Sequence, residues 1–389
     1  MRLAAFNVEN LFDRAKVFND DAPDGAHQGV LDAHAELNKL FEKPAYSAAD
    51  KARMIELITF LGMLKSDEGS ADDAPNGGFT RIRKIRGQLI RRPRDPSEPR
   101  EIVADGRADW VGWCELKTEA VDEQAMLHTA QVIADLAPHV LGVVEAESRP
   151  VLKRFHELLS MKLGVEARFR HIMLVDGNDD RGIDVGLATA EGYPIGAVTS
   201  HVDLRLPDGK TPLFSRDCPD YVVTTPAGAR LHVLPNHFKS KFGGNDQSSR
   251  NRRKAQARAT AEIYEALRAA GEENVAIIGD LNDTPGSEEL QRLVQETDLK
   301  DVSTHPAFTE FQYRATTGGR GIGTFDTGRD DLKIDYILLS PAVFARVQSG
   351  GIFRKGAWTG SDRWDMYPTL TRKVHAASDH HAIWVDLDL

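Results

Sequence analysis

The sequence predicts an α/β fold in which two packed β-sheets are flanked by helices. Many short apolar segments have the length of strands, whereas only a few segments show the periodicity of long helices. This combination favours stacked layers of sheets and helices around a common core. With 389 residues the chain exceeds the usual size of one domain, but its composition contains no linker. We therefore expect one domain over residues 1–389.

The first part of the chain contains few regular elements. Residues 2–12 are predicted to form a buried strand that runs into a loop, and residues 13–46 are polar with little periodicity. A helix is predicted at 47–65, where apolar residues such as Met54, Leu57 and Ile58 follow helical spacing. The further elements are a loop at 66–78, a strand at 108–116, a helix at 121–137 and a strand at 139–145.

Strands dominate the remainder of the chain. The clearest helix lies at 250–270, because its apolar residues fall on one face and Gly271 occupies the position of a C-terminal cap. A short helix is predicted to begin at Ser287. The predicted strands are 168–175, 184–189, 195–204, 220–225, 230–237, 274–280, 333–339 and 382–388.

Polar residues follow several of these apolar runs directly. Ile277-Ile278-Gly279 leads into Asp280 and Asn282, and residues at i and i+2 of a strand point to the same face. Asp280 could accept a proton there, and Asn282 could donate hydrogen bonds. Similar segments are Phe6-Asn7-Val8-Glu9-Asn10, Val143-Val144-Glu145, Asn236-His237, Ile334-Asp335-Tyr336 and Ser378-Asp379-His380-His381. Each alone is also typical of a strand that ends in a polar turn.

Together and in this order, the segments resemble the endonuclease/exonuclease/phosphatase superfamily of metal-dependent phosphoesterases, which includes DNase I-like enzymes. The form Asn236-His237-x-Lys239-Ser240 is most similar to bacterial nuclease-type members. The resemblance implies a four-layer α/β-sandwich with its site where the two sheets meet at one edge. It does not extend over residues 13–125, which we therefore expect to be a large insertion within the domain.

The resemblance implies a site for Mg²⁺ or Mn²⁺ at Glu145, Glu9 and Asp379. Both ions prefer oxygen ligands, chiefly carboxylates and water. Glu145 ends an apolar run, and a carboxylate at the tip of a buried strand must be paired, bind a metal or stay neutral. The alternative for Glu145 is a solvated glutamate at a strand end.

The resemblance also implies the catalytic residues. Asp280 would act as the base that activates water, while Asn282 and Asn7 would hydrogen-bond the phosphate. Asp335 would hold His380 in one tautomer, as carboxylates do behind histidines in unrelated hydrolases. His380 would contact the scissile phosphate. His237 would serve as an acid or as a second phosphate contact. For Asn7 and the Asp-His pair, the alternatives are a cap residue and a surface loop.

Candidate substrate-binding residues lie on two further strands. Lys239 and Lys241 would face one side of the strand end and suit phosphate binding. Arg181 and Asp184, in Arg-Gly-Ile-Asp, open another strand and would support the substrate or the metal. Seven basic residues between Arg81 and Arg94 suggest nucleic-acid contact, reinforced by a second basic group at 250–254. A solvated charged face is the alternative, since no aromatic residues interleave in the basic run.

Composition restricts the class of protein. The net charge of −10 and the pI of about 5.7 argue against a protein that coats nucleic acid non-specifically. Cys114 and Cys218 are too few for a disulfide framework and are expected to be buried thiols. No apolar run reaches the ~20 residues of a transmembrane helix, and no signal-like segment precedes Phe6. We expect a cytoplasmic protein that does not bind a membrane, and the sequence predicts no protein partner.

These expectations favour a divalent-metal-dependent phosphodiester hydrolase, foremost a nuclease that cleaves DNA or RNA. A phosphatase or phosphodiesterase for a small molecule or lipid headgroup is the alternative within catalysis. The acidic pI favours it, as does an insertion that could roof the site. A non-catalytic binding module on the same fold is the competing class.

Overall fold

The computed structural model describes residues 1–11, 28–95, 97–117, 124–163, 169–179, 182–241, 246–314, 320–359 and 362–389. The chain divides into two compact units. The sandwich unit comprises Met1–Phe12 and Asp122–Leu389, and the inserted unit comprises Asp13–Val121. A single domain over 1–389 with an insertion at 13–125 stays a prediction.

The helices and strands are named here in chain order. The inserted unit holds α1 (Gln28–Phe41), α2 (Ala48–Phe60), β2 (Thr80–Gly87), β3 (Ile90–Arg91), β4 (Glu101–Ile102) and β5 (Trp110–Leu116). The helices of the sandwich unit are α3 (Gln124–Leu136), α4 (Arg149–Leu163), α5 (Gln247–Ala269), α6 (Gln291–Val294) and α7 (Pro341–Phe344). Its strands are β1 (Arg2–Leu11), β6 (Val140–Ala146), β7 (Phe169–Val175), β8 (Asp184–Ala190), β9 (Ile195–Thr199), β10 (Asp220–Thr224), β11 (Arg230–His237), β12 (Val275–Asp280), β13 (Lys300–Asp301), β14 (Phe308–Glu310), β15 (Asp335–Leu339), β16 (Val347–Phe353) and β17 (Ala382–Leu387).

Two mixed sheets form the sandwich unit. The first has seven strands in the order β14-β16-β17-β1-β6-β8-β7, and the second has six in the order β13-β15-β12-β11-β10-β9. At the centre of the first sheet β1 and β6 are parallel, with Asn7 paired to Val144. At the centre of the second sheet β11 and β12 are parallel, with His237 paired to Asp280. Parallel neighbours end at the same edge, so each sheet brings two polar strand ends together.

The main core lies between the two sheets. Apolar side chains of both sheets form one buried cluster, with Leu3 and Val385 from the first and Val233 and Ile278 from the second. Gly142 of β6 faces Ile278 so closely that a Cβ atom would lie 2.5 Å from the Ile278 Cδ1. The absence of a side chain at Gly142 therefore leaves room for the Ile278 methyl group between β6 and β12, the strands that carry Glu145 and Asp280.

Helices cover the outer face of each sheet. Side chains of α3 and α4 pack with Phe6 and Val143 of the seven-stranded sheet. Side chains of α5 pack with Ile277 and Leu338 of the six-stranded sheet. The order helix, sheet, sheet, helix confirms the four-layer α/β-sandwich expected from the sequence.

Several elements differ from the sequence-based prediction. Residues 13–46 include α1, whose buried Val30, Leu37 and Phe41 are separated by polar and small residues that weaken the periodic signal. The strand predicted at 195–204 ends at Thr199. Helix α4 and strand β16 were not predicted; β16 contains Gly350 and Gly351, which are unfavourable in strands but allow close approach of β14.

The inserted unit has a core of its own. Buried side chains of α1 and α2 pack with Ile82 and Trp110 of the antiparallel β2–β5 ribbon. Ser47 and Asp50 form a capping box at the start of α2. Cys114 is a buried free thiol in this core, and Cys218 is buried in the sandwich unit, which confirms both expectations. Among the helices of the described residues, none combines the length and apolarity needed to cross a bilayer.

Candidate active site

Polar strand ends of both sheets meet around one cavity of about 530 Å³ in the sandwich unit. Most of the residues predicted from the sequence line it. These are Glu9, Glu145, His237, Lys239, Lys241, Asp280, Asn282, Asp379 and His380. Asn7 and Asp335 are buried and hydrogen-bond residues of this group. The fold therefore brings together residues that are as much as 373 positions apart in the chain.

Asn7 occupies the centre of this arrangement. Its side-chain Nδ2 lies 3.2 Å from Glu145 Oε1, 3.3 Å from Asp280 Oδ2 and 3.4 Å from His380 Nε2. The Asn7 amide of β1 therefore contacts Glu145 of β6 in the same sheet, Asp280 of β12 in the other sheet, and His380. Because Asn7 is buried, its orientation is fixed by these partners rather than by solvent.

Asp280 and Asn282 lie together, but for a different reason from the one predicted. Strand β12 ends at Asp280, and Asn282 has a left-handed backbone with φ of 54°. The Asn282 backbone N–H donates to Asp280 Oδ1 at 2.8 Å, and its Nδ2 donates to Asp280 Oδ2 at 3.0 Å. The shared-face argument is therefore wrong here, and a turn closed by the Asp280 carboxylate brings the two side chains together.

Backbone strain recurs at two carboxylates of the site. Glu9 has a φ of 49° and Glu145 a φ of 69°, values that are uncommon for residues with a Cβ atom. Both positions coincide with irregular pairing of β1 and β6 with their neighbours. Such strain clusters at functional sites, where the surrounding structure maintains it. It re-aims Glu9 and Glu145 away from the regular alternation of a strand.

Three carboxylates with the donor chemistry of a divalent-metal site line the cavity. The Asp379 backbone N–H donates to Glu9 Oε2 at 2.8 Å, which ties the two segments together. Burial raises the pKa of Glu9, and the charges of Asp379 and Glu145 raise it further. Burial likewise raises the pKa of Asp379. Like charges gathered at one cavity favour a bound cation, and the oxygen donors of these three carboxylates fit Mg²⁺ or Mn²⁺.

A second group of potential ligands lies beside the first. One donor atom each from Asp280, Asp335 and His380 lies within 4.8 Å of the others, and all three residues are buried. However, His380 Nδ1 already donates to Asp335 Oδ2 at 2.8 Å. Among the described residues, this is the one group in which three potential ligand atoms lie within 4.8 Å of one another. The carboxylates of Glu9, Glu145 and Asp379 line the same cavity at larger separations.

The buried acid–histidine pairs have strongly shifted pKa values. Burial alone lowers the pKa of His380, but the charges of Asp335, Asp280 and Asp379 outweigh it and raise the value to about 10. Burial, with the charge of Asp335, raises the pKa of Asp280 to about 7. His237 Nε2 lies 3.6 Å from both Glu145 Oε1 and Asp280 Oδ2. The site can therefore both accept and donate protons near neutral pH.

Basic residues line the same cavity. Lys241 Nζ lies 2.6 Å from Asp283 Oδ1, and Lys239 is partly exposed. Arg216, which the sequence analysis missed, is buried at the cavity wall with its Nη2 3.1 Å from Asp179 Oδ2. Its only signal in the sequence is its position shortly before a predicted strand. These cations suit an anionic substrate.

The remaining predictions for the site have mixed outcomes. Arg181 lies outside the described residues. Asp184 is not among the described residues that line the cavity; its Oδ1 accepts the Gly177 N–H at 2.7 Å, and burial raises its pKa to about 6. A substrate role for either residue stays a prediction. Other lining residues not singled out from the sequence are Ile183, Ser240, Thr284, Phe325, Asp331, Leu332 and Ile334.

Basic residues at 250–254 form ion pairs within the protein. Arg250 pairs with Glu289, and Lys254 pairs with Glu288, each at 2.5 Å. The fully buried Arg253 pairs with Asp283 at 3.0 Å. Because these contacts are intramolecular, the second basic group supports the alternative of a charged face and internal ion pairs over nucleic-acid contact.

The chain has similarities to known proteins. Residues 97–357 match the model of the Endonuclease/Exonuclease/phosphatase family. No curated protein sequence matches the chain. Truncated TDP2 of Caenorhabditis elegans has 15% identity and a TM-score of 0.45, with 67% of this chain and 88% of that chain covered. The Bacteroides thetaiotaomicron mannosyl-6-phosphatase Bt3783 has 15% identity and a TM-score of 0.46, with 68% and 91% covered.

The catalytic domain of human Nocturnin, solved with a bound sulfate anion, has 14% identity and a TM-score of 0.47. The match covers 68% of this chain and 85% of the Nocturnin domain. The family match spans more than half of the 389 residues. The chain therefore belongs to the endonuclease/exonuclease/phosphatase family, whose members are hydrolases of phosphate esters.

Proposed function

We propose that the sandwich unit is a divalent-metal-dependent phosphodiesterase that cleaves nucleic acid. The observation that carries the proposal is the composition of a single cavity. The carboxylates of Glu9, Glu145 and Asp379 line it together with the cations Lys239 and Lys241. Carboxylates suit a metal, and cations suit phosphates. A bound Mg²⁺ or Mn²⁺ would neutralise charge on the reacting phosphate.

The chain's own residues supply the remaining chemistry. Asp280 accepts a proton from the attacking water, since its pKa of about 7 makes it a better base than an exposed aspartate. The new bond forms between the water oxygen and phosphorus, and the bond to the leaving oxygen breaks. His380, oriented by Asp335, donates a hydrogen bond to the phosphate. His237 holds a further phosphate oxygen. The buried Asn7 amide positions Asp280 and His380.

The volume and the lining of the cavity support a nucleotide unit as the group bound. About 530 Å³ is within the range of small-ligand sites. Phe325 and Leu332 provide apolar wall against which a base can pack, and the lysines provide phosphate contacts. The same volume also favours the second candidate, a phosphoesterase for a small molecule. The predicted cytoplasmic location rests on the sequence alone.

Hydrolysis assays test both candidates together. The substrates are supercoiled DNA, single-stranded DNA, RNA and bis-p-nitrophenyl phosphate, each with Mg²⁺, Mn²⁺ or EDTA. Glu145→Ala and His380→Ala remove two lining side chains, and Glu310→Ala, at an exposed position on β14, is the control. Cleavage of polymers that disappears with EDTA and in both site variants supports the nuclease. Activity on the small ester alone would replace it with the second candidate.

No cleavage of any substrate, with correctly folded protein and added metal, would contradict hydrolysis at this cavity. Binding of a nucleotide under those conditions would then favour the non-catalytic module. Equal activity of Glu145→Ala and the parent protein would place the chemistry elsewhere in the molecule.

A further inference from the structure

The β2–β5 ribbon of the inserted unit has one face in its core and one face in solvent. Ile82 and Cys114, paired across the ribbon, are buried, whereas Arg83 and Trp113, the next pair, are both exposed. Directly opposed residues of an antiparallel pair point to the same face. Arg83 and Trp113 therefore stand side by side on the outer face.

The register extends this outer face in both directions. Arg81 lies opposite Glu115, and Arg86 lies opposite Val111. An irregularity between Lys84 and Arg86 adds one residue, Ile85, which is 68% exposed. Such a bulge twists the strand and re-aims the side chains that follow it. Three arginines therefore form a row along β2 beside the Trp113 ring on β5.

The exposure of Trp113 has no explanation in the core of the unit. Trp110 of the same strand is 1% exposed and packs edge-on against Phe41 at 4.7 Å. Trp113 is 42% exposed. Gly112 allows the Trp110 ring to lie beneath the ribbon, since a Cβ atom there would meet that ring at 2.5 Å. One indole thus completes the core and the other is presented to solvent.

The charges beside Trp113 are only partly neutralised. Glu115 pairs with Arg81, and it pairs with Arg83 at 2.8 Å. Within the described part of the chain, Lys84 and Arg86 form no ion pair, and both are exposed. Lys84 lies opposite Gly112, on the face of Ile82 and Cys114. The outer face therefore offers Arg86, which forms no ion pair among the described residues, next to an exposed aromatic ring. Strand β5 supplies the aromatic residue that the basic run at 81–94 lacks.

We propose that this face of the ribbon binds single-stranded nucleic acid, with a base stacked on Trp113 and phosphates held by Arg83 and Arg86. Cations along a track beside an aromatic platform are the combination that recognises single strands without sequence preference. A duplex offers no unstacked base to the indole, so the ring favours single strands. The residues of this surface belong to the inserted unit, and the binding makes no use of hydrolysis.

Fluorescence anisotropy of a labelled oligothymidylate with the full chain in EDTA tests the proposal. Trp113→Ala should weaken binding by about tenfold, through the loss of stacking. Trp113→Phe should restore most of the affinity. Arg86→Ala should lower the slope of log affinity against log salt by about 0.7. Phe60→Ala and Lys39→Ala, exposed residues on the helices of the same unit, should leave affinity and slope unchanged.

Three results would overturn the proposal. Parent-like affinity of both Trp113→Ala and Arg86→Ala would remove the ribbon from binding. Equal competition by a hairpin duplex would contradict stacking on an unpaired base. Binding of phosphatidylserine vesicles that requires Arg86, without binding of the oligonucleotide, would reassign the face to a lipid surface. Because EDTA suppresses metal-dependent cleavage, failure of the proposed hydrolysis leaves these outcomes unaffected.

Discussion

The buried His380 donates from Nδ1 to Oδ2 of the buried Asp335 at 2.8 Å. This hydrogen bond directs the second ring nitrogen, Nε2, towards Asn7 and Asp280. Since β15 begins at Asp335, the six-stranded sheet fixes a histidine that precedes a strand of the other sheet. Residues of both sheets thus determine the tautomer and the orientation of the His380 ring.

Asp335→Asn should lower kcat by about a hundredfold or more, because the amide no longer enforces the tautomer of His380. Binding of Mn²⁺ and the KM should change little, which distinguishes a positioning role from a metal ligand. Steady-state kinetics on bis-p-nitrophenyl phosphate provide the measurement. Asp388→Asn, an exposed aspartate after β17, is the control and should retain parent activity. A parent-like kcat in Asp335→Asn would refute the positioning role.

Glu145→Gln should weaken Mn²⁺ binding by at least about tenfold, a loss that even second-sphere changes produce at metal sites. Isothermal titration calorimetry measures this without substrate. The exposed Glu310→Gln should bind Mn²⁺ like the parent. If Asp335→Asn lost the metal and Glu145→Gln kept it, the ligand group would instead be Asp280, Asp335 and His380.

Lys239→Ala should raise the KM for duplex DNA and lower the slope of log affinity against log salt by about 0.9, the value for one phosphate contact. The kcat should stay near that of the parent, since Lys239 lines the cavity and contacts none of the buried acids among the described residues. Lys254→Ala removes the same charge from an ion pair on the surface of α5. An equal change in both variants would indicate a general effect of charge.

Arg253→Met should lower the free energy of unfolding by about 2 kcal/mol, because the buried Asp283 loses its 3.0 Å partner and keeps only Lys241 as a cationic partner among the described residues. Urea denaturation at neutral pH measures the change. The exposed neighbour Lys254→Met should stay within about 0.5 kcal/mol of the parent. A stable Arg253→Met variant with weaker DNA binding would instead restore the nucleic-acid interpretation of the group at 250–254.

His232 should make stability depend on pH. Its Nδ1 lies 2.9 Å from Asp220 Oδ2 and its Nε2 lies 3.3 Å from Glu272 Oε2. The hydrogen bond to Asp220 raises the pKa of His232, burial opposes it, and the charges of both acids add to the increase. The stabilisation is complete below ~6.5, the pKa of an unfolded histidine, and disappears as pH rises through the folded value.

His232→Gln should therefore reduce the free energy of unfolding more at about pH 5.5 than at about pH 9. Chemical denaturation of the parent and variant at both pH values provides the comparison. In an Asp220→Asn background the difference between the two pH values should shrink, because the main partner is gone. An equal loss at both pH values would show that His232 contributes by packing alone.

The fold class and most of the residues that line the cavity could be predicted from the sequence. Apolar runs that end in Asn7, Glu145, His237 and Asp280 identify buried strands whose polar ends need a common partner. This information is local, because a buried strand is apolar over several residues and its functional end is not. Helical periodicity likewise predicted α2 and α5, and Gly271 predicted the end of α5.

The arrangement of those residues follows from long-range packing, which the sequence pattern does not contain. Left-handed backbone at Glu9, Glu145 and Asn282 replaces the regular alternation that the sequence predicts, and it exists because surrounding contacts sustain it. Arg216 lies in a loop without periodicity, so its place at the cavity follows from packing. Trp113 and Trp110 are identical in type, and only the register of the β2–β5 ribbon buries one and exposes the other. Side-chain direction in such places depends on long-range pairing, which a local pattern does not contain.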